Sequence, residues 1–87
     1  MARVEIYTGP ACGYCMAAKA LLKRKGVAFE EKEVGGDPAL REEMICRAGG
    51  RRTVPQIFIE GEHVGGSDDL HALERAGELD AKLGIGA

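Results

Sequence analysis

Two cysteines separated by two residues, Cys12 and Cys15, carry the clearest chemical signal in this sequence. They stand between a short apolar run ending at Tyr7 and a helix-like run from Met16 to Lys25. Thiols three positions apart at the start of a helix share a face and can form a disulfide after a small adjustment. The partial positive charge and unpaired N–H groups of a helix N-terminus favour a thiolate. We therefore expect Cys12, the outer thiol, to be the nucleophile and Cys15 to be the resolving thiol.

The alternatives to a redox site are half of a zinc site or two unrelated thiols. Zinc usually takes four ligands, often from paired C-x-x-C units. The remaining candidate ligands, Cys46, His63 and His71, form no second unit of that kind. The spacing therefore favours redox chemistry.

Length and composition indicate one small domain spanning residues 1–87. The formal net charge of -2 argues against general affinity for nucleic acid or for an anionic membrane. Three irregularly placed cysteines are too few for the disulfide framework that stabilises a small secreted fold. The chain enters a strand at once, without the apolar core of a signal peptide or a membrane-spanning segment. We expect a cytoplasmic protein in a reducing compartment.

The elements that must position the dithiol begin with an alternating strand at Val4–Tyr7. The helix that follows the cysteines is expected to turn Ala17, Ala20 and Leu21 inward. A second strand is expected around Phe29, where neighbouring glutamates indicate an exposed face or a sheet edge.

The second half of the chain predicts two more strands and two more helices. Asp37, followed by proline, is a strong helix start. The buried stripe of that helix is Leu40, Met44 and Ala48, and Cys46 lies roughly opposite it, which predicts an exposed thiol.

A hairpin and a third helix complete the chain. Gln56–Glu60 and His63–Val64 predict two strands joined by a tight turn at Gly61-Glu62. Ser67 is expected to cap the third helix, beyond which Leu79 and Leu83 dock a final turn.

The element order β-α-β-α-β-β-α, with the dithiol on the first crossover, resembles the glutaredoxin branch of the thioredoxin fold from end to end. Three motifs in the family's order carry the resemblance: Cys12–Cys15, Thr53-Val54-Pro55 and Gly65-Gly66-Ser67-Asp68-Asp69. The resemblance implies an α/β, thioredoxin-like fold with a four-stranded mixed sheet flanked by helices.

The resemblance also implies a glutathione-dependent thiol–disulfide oxidoreductase. Its substrates would be protein–glutathione mixed disulfides and protein disulfides, with glutathione as co-substrate. The monothiol route would use Cys12 alone, and protein disulfides would use both Cys12 and Cys15. The protein is expected to be a monomer without nucleic-acid or membrane partners.

The family's glutathione-binding residues map onto the second and third motifs, in which Thr53 begins the second. By resemblance, Pro55 is cis and the Val54 backbone pairs with the tripeptide. The N–H groups of Ser67 and Asp68 would hold the γ-glutamyl carboxylate, and the Asp68 carboxylate would pair with the γ-glutamyl ammonium. Tyr14 would flank the sulfur.

The sequence departs from the family's common form near the site. Gly13 stands where proline is usual, and Ser67 replaces a common cysteine. Gly9 stands where a lysine is frequent, which removes one partner for the glycyl carboxylate of glutathione. Arg51 or Arg52 is the candidate replacement for that partner.

Two other functions fit parts of the same pattern. The first is an iron–sulfur carrier, in which a homodimer bridges a [2Fe–2S] cluster through Cys12 of each chain and two glutathione thiolates; the freer loop at Gly13 favours it. The second is a thioredoxin reduced by a flavoenzyme, which Tyr14 and the Gly65–Asp69 motif disfavour.

Overall fold

The computed structural model of the protein describes residues 2–85, so Met1, Gly86 and Ala87 of the expected single domain lie outside it. None of the helices in this range combines the length and apolar character needed to cross a bilayer. The elements in chain order are β1 (Val4–Thr8), α1 (Gly13–Arg24), β2 (Glu30–Glu33), α2 (Pro38–Arg47), β3 (Gln56–Ile59), β4 (Glu62–Gly65), α3 (Ser67–Arg75) and α4 (Leu79–Leu83).

The four strands form one mixed sheet in the order β2-β1-β3-β4. β1 runs parallel to β2 and antiparallel to β3, and β3 runs antiparallel to β4. In this register Ile6 lies between Glu31 on β2 and Ile57 on β3. The predicted sheet and the edge position of the glutamate-rich strand are confirmed.

Alternation along β1 separates two apolar cores on the two faces of the sheet. Val4 and Ile6 face one core, and Tyr7 faces the other. The larger core packs the sheet against α1, α3 and α4, and its fully buried side chains include Leu21, Leu22, Leu70, Leu79 and Leu83. The smaller core packs the sheet against α2.

The predicted inward face of α1 is right for Leu21 and wrong for the two alanines. Ala17 and Ala20 are exposed, whereas Cys15, Ala18 and Leu22 are buried beside Leu21. Alanine fits either face of a helix, so the phase of α1 is set by the side chains that gain most from burial, chiefly the leucines.

The predicted stripe of α2 is confirmed. Asp37 accepts a hydrogen bond from the Leu40 N–H at 3.0 Å, as an N-cap residue should. Met44 and Ala48 are buried and Leu40 is half-buried. Cys46 is exposed, also as predicted.

The hairpin forms as predicted, but its turn lies one residue earlier, at Glu60-Gly61. Both residues have positive φ, 54° and 76°, which is the conformation that two-residue hairpin turns of the favoured hand require.

Charged groups also attach α2 to the sheet. The guanidinium of Arg47 lies 3.0 Å from Glu5 on β1 and 4.2 Å from the centre of the Phe58 ring. Lys32 of β2 lies 3.0 Å from the same carboxylate. The hydrogen bond from Arg47 outweighs the opposing effect of burial and lowers the pKa of Glu5 to about 2.

Candidate active site

Cys12 caps the N-terminus of α1. Its backbone is extended, and its Sγ accepts a hydrogen bond from the Cys15 N–H at 3.3 Å. The pKa of Cys12 lies below its ordinary value, chiefly because the Cys15 thiol hydrogen-bonds to its sulfur, with help from the N–H groups of Cys15 and Tyr14. The half-buried Sγ also lies 3.9 Å from the Val54 carbonyl oxygen. This environment suits a nucleophilic thiolate that a substrate can reach.

Cys15 lies one turn further into the same helix and is buried. Burial is the main cause that raises its pKa to about 11, and its hydrogen bond to Cys12 acts in the same direction. At neutral pH Cys15 therefore holds a proton that it can share with the Cys12 sulfur. The two thiols thus occupy opposite environments, which is what a nucleophile and a reserve thiol require.

A groove with a volume of about 240 Å³ opens beside the dithiol. It collects residues from α1, from the loop before β3 and from the start of α3. Its lining is Tyr14, Arg51, Thr53, Val54, Pro55, Gly66, Ser67, Asp68 and Asp69. The structure therefore brings together Tyr14, the whole Thr53-Val54-Pro55 motif, Ser67 and Asp68, all of which the sequence singled out. The Val54–Pro55 peptide bond is cis, as the resemblance implied.

The two candidate arginines separate in space. Arg51 lines the groove, and its Nη1 lies 3.3 Å from Asp69 Oδ2. Arg52 does not line the groove; its carbonyl oxygen accepts a hydrogen bond from Arg41 instead. Of the pair, Arg51 is the cation that the groove presents.

The start of α3 differs from the prediction in its N-cap residue and adds Asp69 to the groove. Gly66, not Ser67, occupies the N-cap position, because Ser67 is already the first residue of the helix and is buried. The Asp69 carboxylate accepts a hydrogen bond from the Gly66 N–H at 2.9 Å, which is the main cause that lowers the pKa of Asp69. Sequence reasoning missed Asp69 as a groove residue. The signal was an acid three positions after the cap, as in a capping box.

The glycines around the site leave different amounts of room. A Cβ at Gly65, whose φ is +125°, would lie 2.2 Å from Asp69 Oδ2. A Cβ at Gly9 would lie 3.1 Å from Val54 Cγ2, whereas one at Gly13 would meet no atom within 4 Å. The surface beside Cys12 is therefore open at Gly13.

The groove is chemically matched to a small zwitterion next to a thiolate. It offers the carboxylate of Asp68, the guanidinium of Arg51 and the first N–H groups of α3, which have no acceptor within the helix. Within residues 2–85, no three His, Cys, Asp or Glu side chains come together in a group suited to a metal ion.

Comparison with known proteins gives one consistent result. The glutaredoxin family model matches residues 4–64. Glutaredoxin 3 of Escherichia coli strain K12 is 59% identical over 83 residues, covering 95% of this chain and 99% of that protein.

Solved structures agree with the sequence comparison. The solution structure of glutaredoxin from Brucella melitensis superposes with a TM-score of 0.82 at 54% identity, covering 100% of this chain and 96% of that one. The crystal structure of a buckwheat glutaredoxin–glutathione complex has a TM-score of 0.84 at 29% identity, covering 95% of this chain and 77% of that one.

Proposed function

The chain belongs to the glutaredoxin family of thiol–disulfide oxidoreductases, and we propose that it reduces protein–glutathione mixed disulfides with glutathione as co-substrate. The observation that carries the proposal is the position of the Cys12 sulfur, whose pKa is lowered, beside a groove that presents a carboxylate, a guanidinium and free N–H groups. Glutathione has two carboxylates and one ammonium. Its ammonium suits the Asp68 carboxylate, one of its carboxylates suits the N–H groups of α3, and the other would share the Arg51 guanidinium with Asp69.

In the proposed reaction the Cys12 thiolate attacks the glutathione sulfur of the mixed disulfide. The bond between that sulfur and the substrate protein breaks, and the protein leaves as a thiolate that takes a proton from water. Cys12 then holds the glutathionyl group. The thiolate of a second glutathione attacks the sulfur of the bound glutathionyl group and breaks its bond to Cys12, which releases oxidised glutathione and restores the Cys12 thiolate.

The groove residues orient the glutathionyl group for this exchange. We assign the Val54 backbone to the tripeptide backbone, the first N–H groups of α3 to the γ-glutamyl carboxylate, and the Asp68 carboxylate to the ammonium. Arg51 would pair with the glycyl carboxylate in place of the lysine that Gly9 replaces. Tyr14, 67% exposed, would cover the sulfur side of the groove.

Protein disulfides would be reduced by a route that uses both thiols. Cys12 attacks one sulfur of the substrate and forms a mixed disulfide. Cys15 then loses its proton and attacks the Cys12 sulfur, which releases the second substrate thiol and leaves a Cys12–Cys15 disulfide for two glutathiones to reduce. The pKa of about 11 at Cys15 keeps it protonated until that second step.

The test of these roles compares Cys12→Ser with Cys15→Ser. We expect Cys12→Ser to abolish reduction of a glutathionylated peptide, and Cys15→Ser to retain it while losing reduction of a protein disulfide. Equal loss of mixed-disulfide reduction in both variants would refute the assignment. Cys46→Ser, at the exposed thiol on α2, is the matched control and should behave like the wild type.

The open space at Gly13 favours a second use of the same thiolate, ligation of a [2Fe–2S] cluster. Such clusters take four thiolates. Cys15 is buried, so one chain offers Cys12 as its ligand, and a second chain and two glutathiones would supply the other three. The residues fit this role only in a glutathione-bound homodimer, so we rank it second.

We further propose that the chain acts as a single-domain monomer in the cytoplasm. The glutathione pool of the cytosol is poised at a lower potential than that of the secretory pathway, which favours return of the dithiol to its reduced form.

A further inference from the structure

Gln56, the first residue of β3, is a fully buried polar side chain directly after the groove motif. Its Nε2 lies 2.9 Å from the Thr53 carbonyl oxygen and 3.2 Å from Thr53 Oγ1. Its Oε1 lies 2.7 Å from His63 Nε2 on β4. The amide therefore joins the Thr53-Val54-Pro55 loop to the hairpin.

The direction of these hydrogen bonds follows from their partners. The Thr53 carbonyl oxygen can only accept, so the nitrogen end of Gln56 faces it. The oxygen end can only accept as well, so His63 Nε2 carries the proton. Both the neutral ring with a proton on Nε2 and the imidazolium provide that donor, so the link persists in either charge state. Burial lowers the pKa of His63 and so favours the neutral ring.

His63 is itself held in place. It pairs with Phe58 across the β3–β4 ladder, and the two rings pack with their centres 5.0 Å apart. A half-buried ring fixed in this way has little freedom to release the Gln56 oxygen. The chain of contacts thus runs from the β3–β4 hairpin to the loop that lies against Cys12.

We propose that Gln56 is a positioning residue for glutathione recognition: it fixes the Thr53–Val54 peptide that forms the binding edge of the groove, and His63 fixes Gln56. This inference rests on the proposed function. Gln56 touches neither thiol in the contacts described, so its effect should fall on ligands that use the groove and not on the reactivity of Cys12.

The first experiment replaces Gln56 with methionine, which keeps the length of the side chain but removes all three hydrogen bonds. KM and kcat are measured for a glutathionylated peptide and for the same peptide carrying a plain cysteine adduct. We expect KM for the glutathione adduct to rise about tenfold, the change that losing one or two such hydrogen bonds produces. KM for the cysteine adduct, kcat for both adducts and the alkylation rate of Cys12 should each change less than about twofold.

Two controls separate positioning from general loss of stability. Lys25→Met removes a cation that pairs with Glu74 and Asp80 at the far end of α1, and it should lower the melting temperature without raising KM. His63→Phe keeps the ring on Phe58 but removes the donor and should raise KM about threefold, and His63→Gln should restore it by supplying an N–H at a similar distance.

Two measurements decide the outcome: the preference for the glutathione adduct over the cysteine adduct, and the mobility of the Val54 amide in the protein without ligand. Three results would overturn the inference. KM for the glutathione adduct could be unchanged in a folded Gln56→Met variant, KM could rise equally for the glutathione and cysteine adducts, or Lys25→Met could raise KM for the glutathione adduct by the same factor. The NMR order parameter of the Val54 amide, measured without ligand, should fall in Gln56→Met and not in Lys25→Met. If the wild type does not distinguish the two adducts, the proposed function fails, and this order parameter still accepts or rejects the positioning role. Should Gln56→Met not fold, the His63 pair gives the same decision.

Discussion

Replacing Gly65 with alanine should damage the groove and the fold together. Gly65 has φ = +125°, a conformation that costs an alanine about 1–3 kcal/mol. Its new Cβ would also lie 2.2 Å from Asp69 Oδ2, so the carboxylate must move. A displaced Asp69 loses its hydrogen bond to the Gly66 N–H, and the loss of such a cap costs about 0.5–2 kcal/mol. We expect the free energy of unfolding to fall by about 1.5–5 kcal/mol.

Gly50→Ala is the matched control, because Gly50 has φ = +96° and a Cβ there would meet no atom within 4 Å. It carries the conformational cost without the collision. The difference between the free energies of unfolding of the two variants, measured in urea, therefore gives the part of the loss that comes from displacing Asp69.

The groove provides a second measurement on the same pair of variants. Asp69 also holds Arg51 at 3.3 Å, so its displacement should raise KM for a glutathionylated peptide in Gly65→Ala and leave it unchanged in Gly50→Ala. Equal loss of stability in both variants with an unchanged KM would refute the role given to Asp69. A folded domain has about 5–15 kcal/mol of stability, so a loss smaller than about 5 kcal/mol leaves folded protein to assay.

Three further predictions concern the ligand, the pH and the cluster. Asp68→Asn should reduce the preference for a glutathione adduct over a cysteine adduct by about 1–3 kcal/mol, and an unchanged preference in competition kinetics would contradict it. Because Glu5 has a folded pKa of about 2 against 4.5, its contribution of about 3 kcal/mol is present above pH 4.5 and lost as the pH falls towards 2. Urea unfolding against pH should show this slope, and Glu5→Gln should reduce it, leaving the part that comes from other carboxylates with lowered pKa values such as Asp69. Anaerobic reconstitution with iron, sulfide and glutathione should give a coloured dimer that Cys12→Ser abolishes, whereas a colourless monomer, unchanged in Gly13→Pro, would leave only the oxidoreductase.

Sequence patterns were sufficient where one physical requirement dominated. Asp37 followed by proline has few roles other than opening a helix, and the spacing of Met44 and Ala48 fixes which face of that helix is buried. The period of the strands and the position of the dithiol then restrict the order of elements. These features were predicted, and the structure confirms them.

The errors arose where two positions satisfied the same local rule. Ala17 and Ala18 serve equally well on an inward face, and only packing against the sheet chooses between them. Ser67 is a better N-cap residue than Gly66 by propensity, but Asp69 reaches back to the Gly66 N–H and moves the helix start. The sequence also left Arg51 and Arg52 open as alternatives, because the two differ only in the direction that the loop gives their side chains.

The attachment of α2 has a consequence for local unfolding. Met44 is the only side chain within Pro38–Arg47 that the structure describes as buried. Leu40 and Ile45 are partly buried against the same core, and the ion pair of Arg47 with Glu5 and its guanidinium on the Phe58 ring add to the attachment. By contrast, α1 buries four side chains, including Cys15. The α2 amides should therefore exchange their hydrogens through a partial opening whose free energy is well below that of global unfolding. Added salt should lower the free energy of this opening further, because it screens the ion pairs. The α1 amides beyond its first turn should exchange only when the whole domain unfolds. Opening of α2 would therefore leave the helix that carries the dithiol intact.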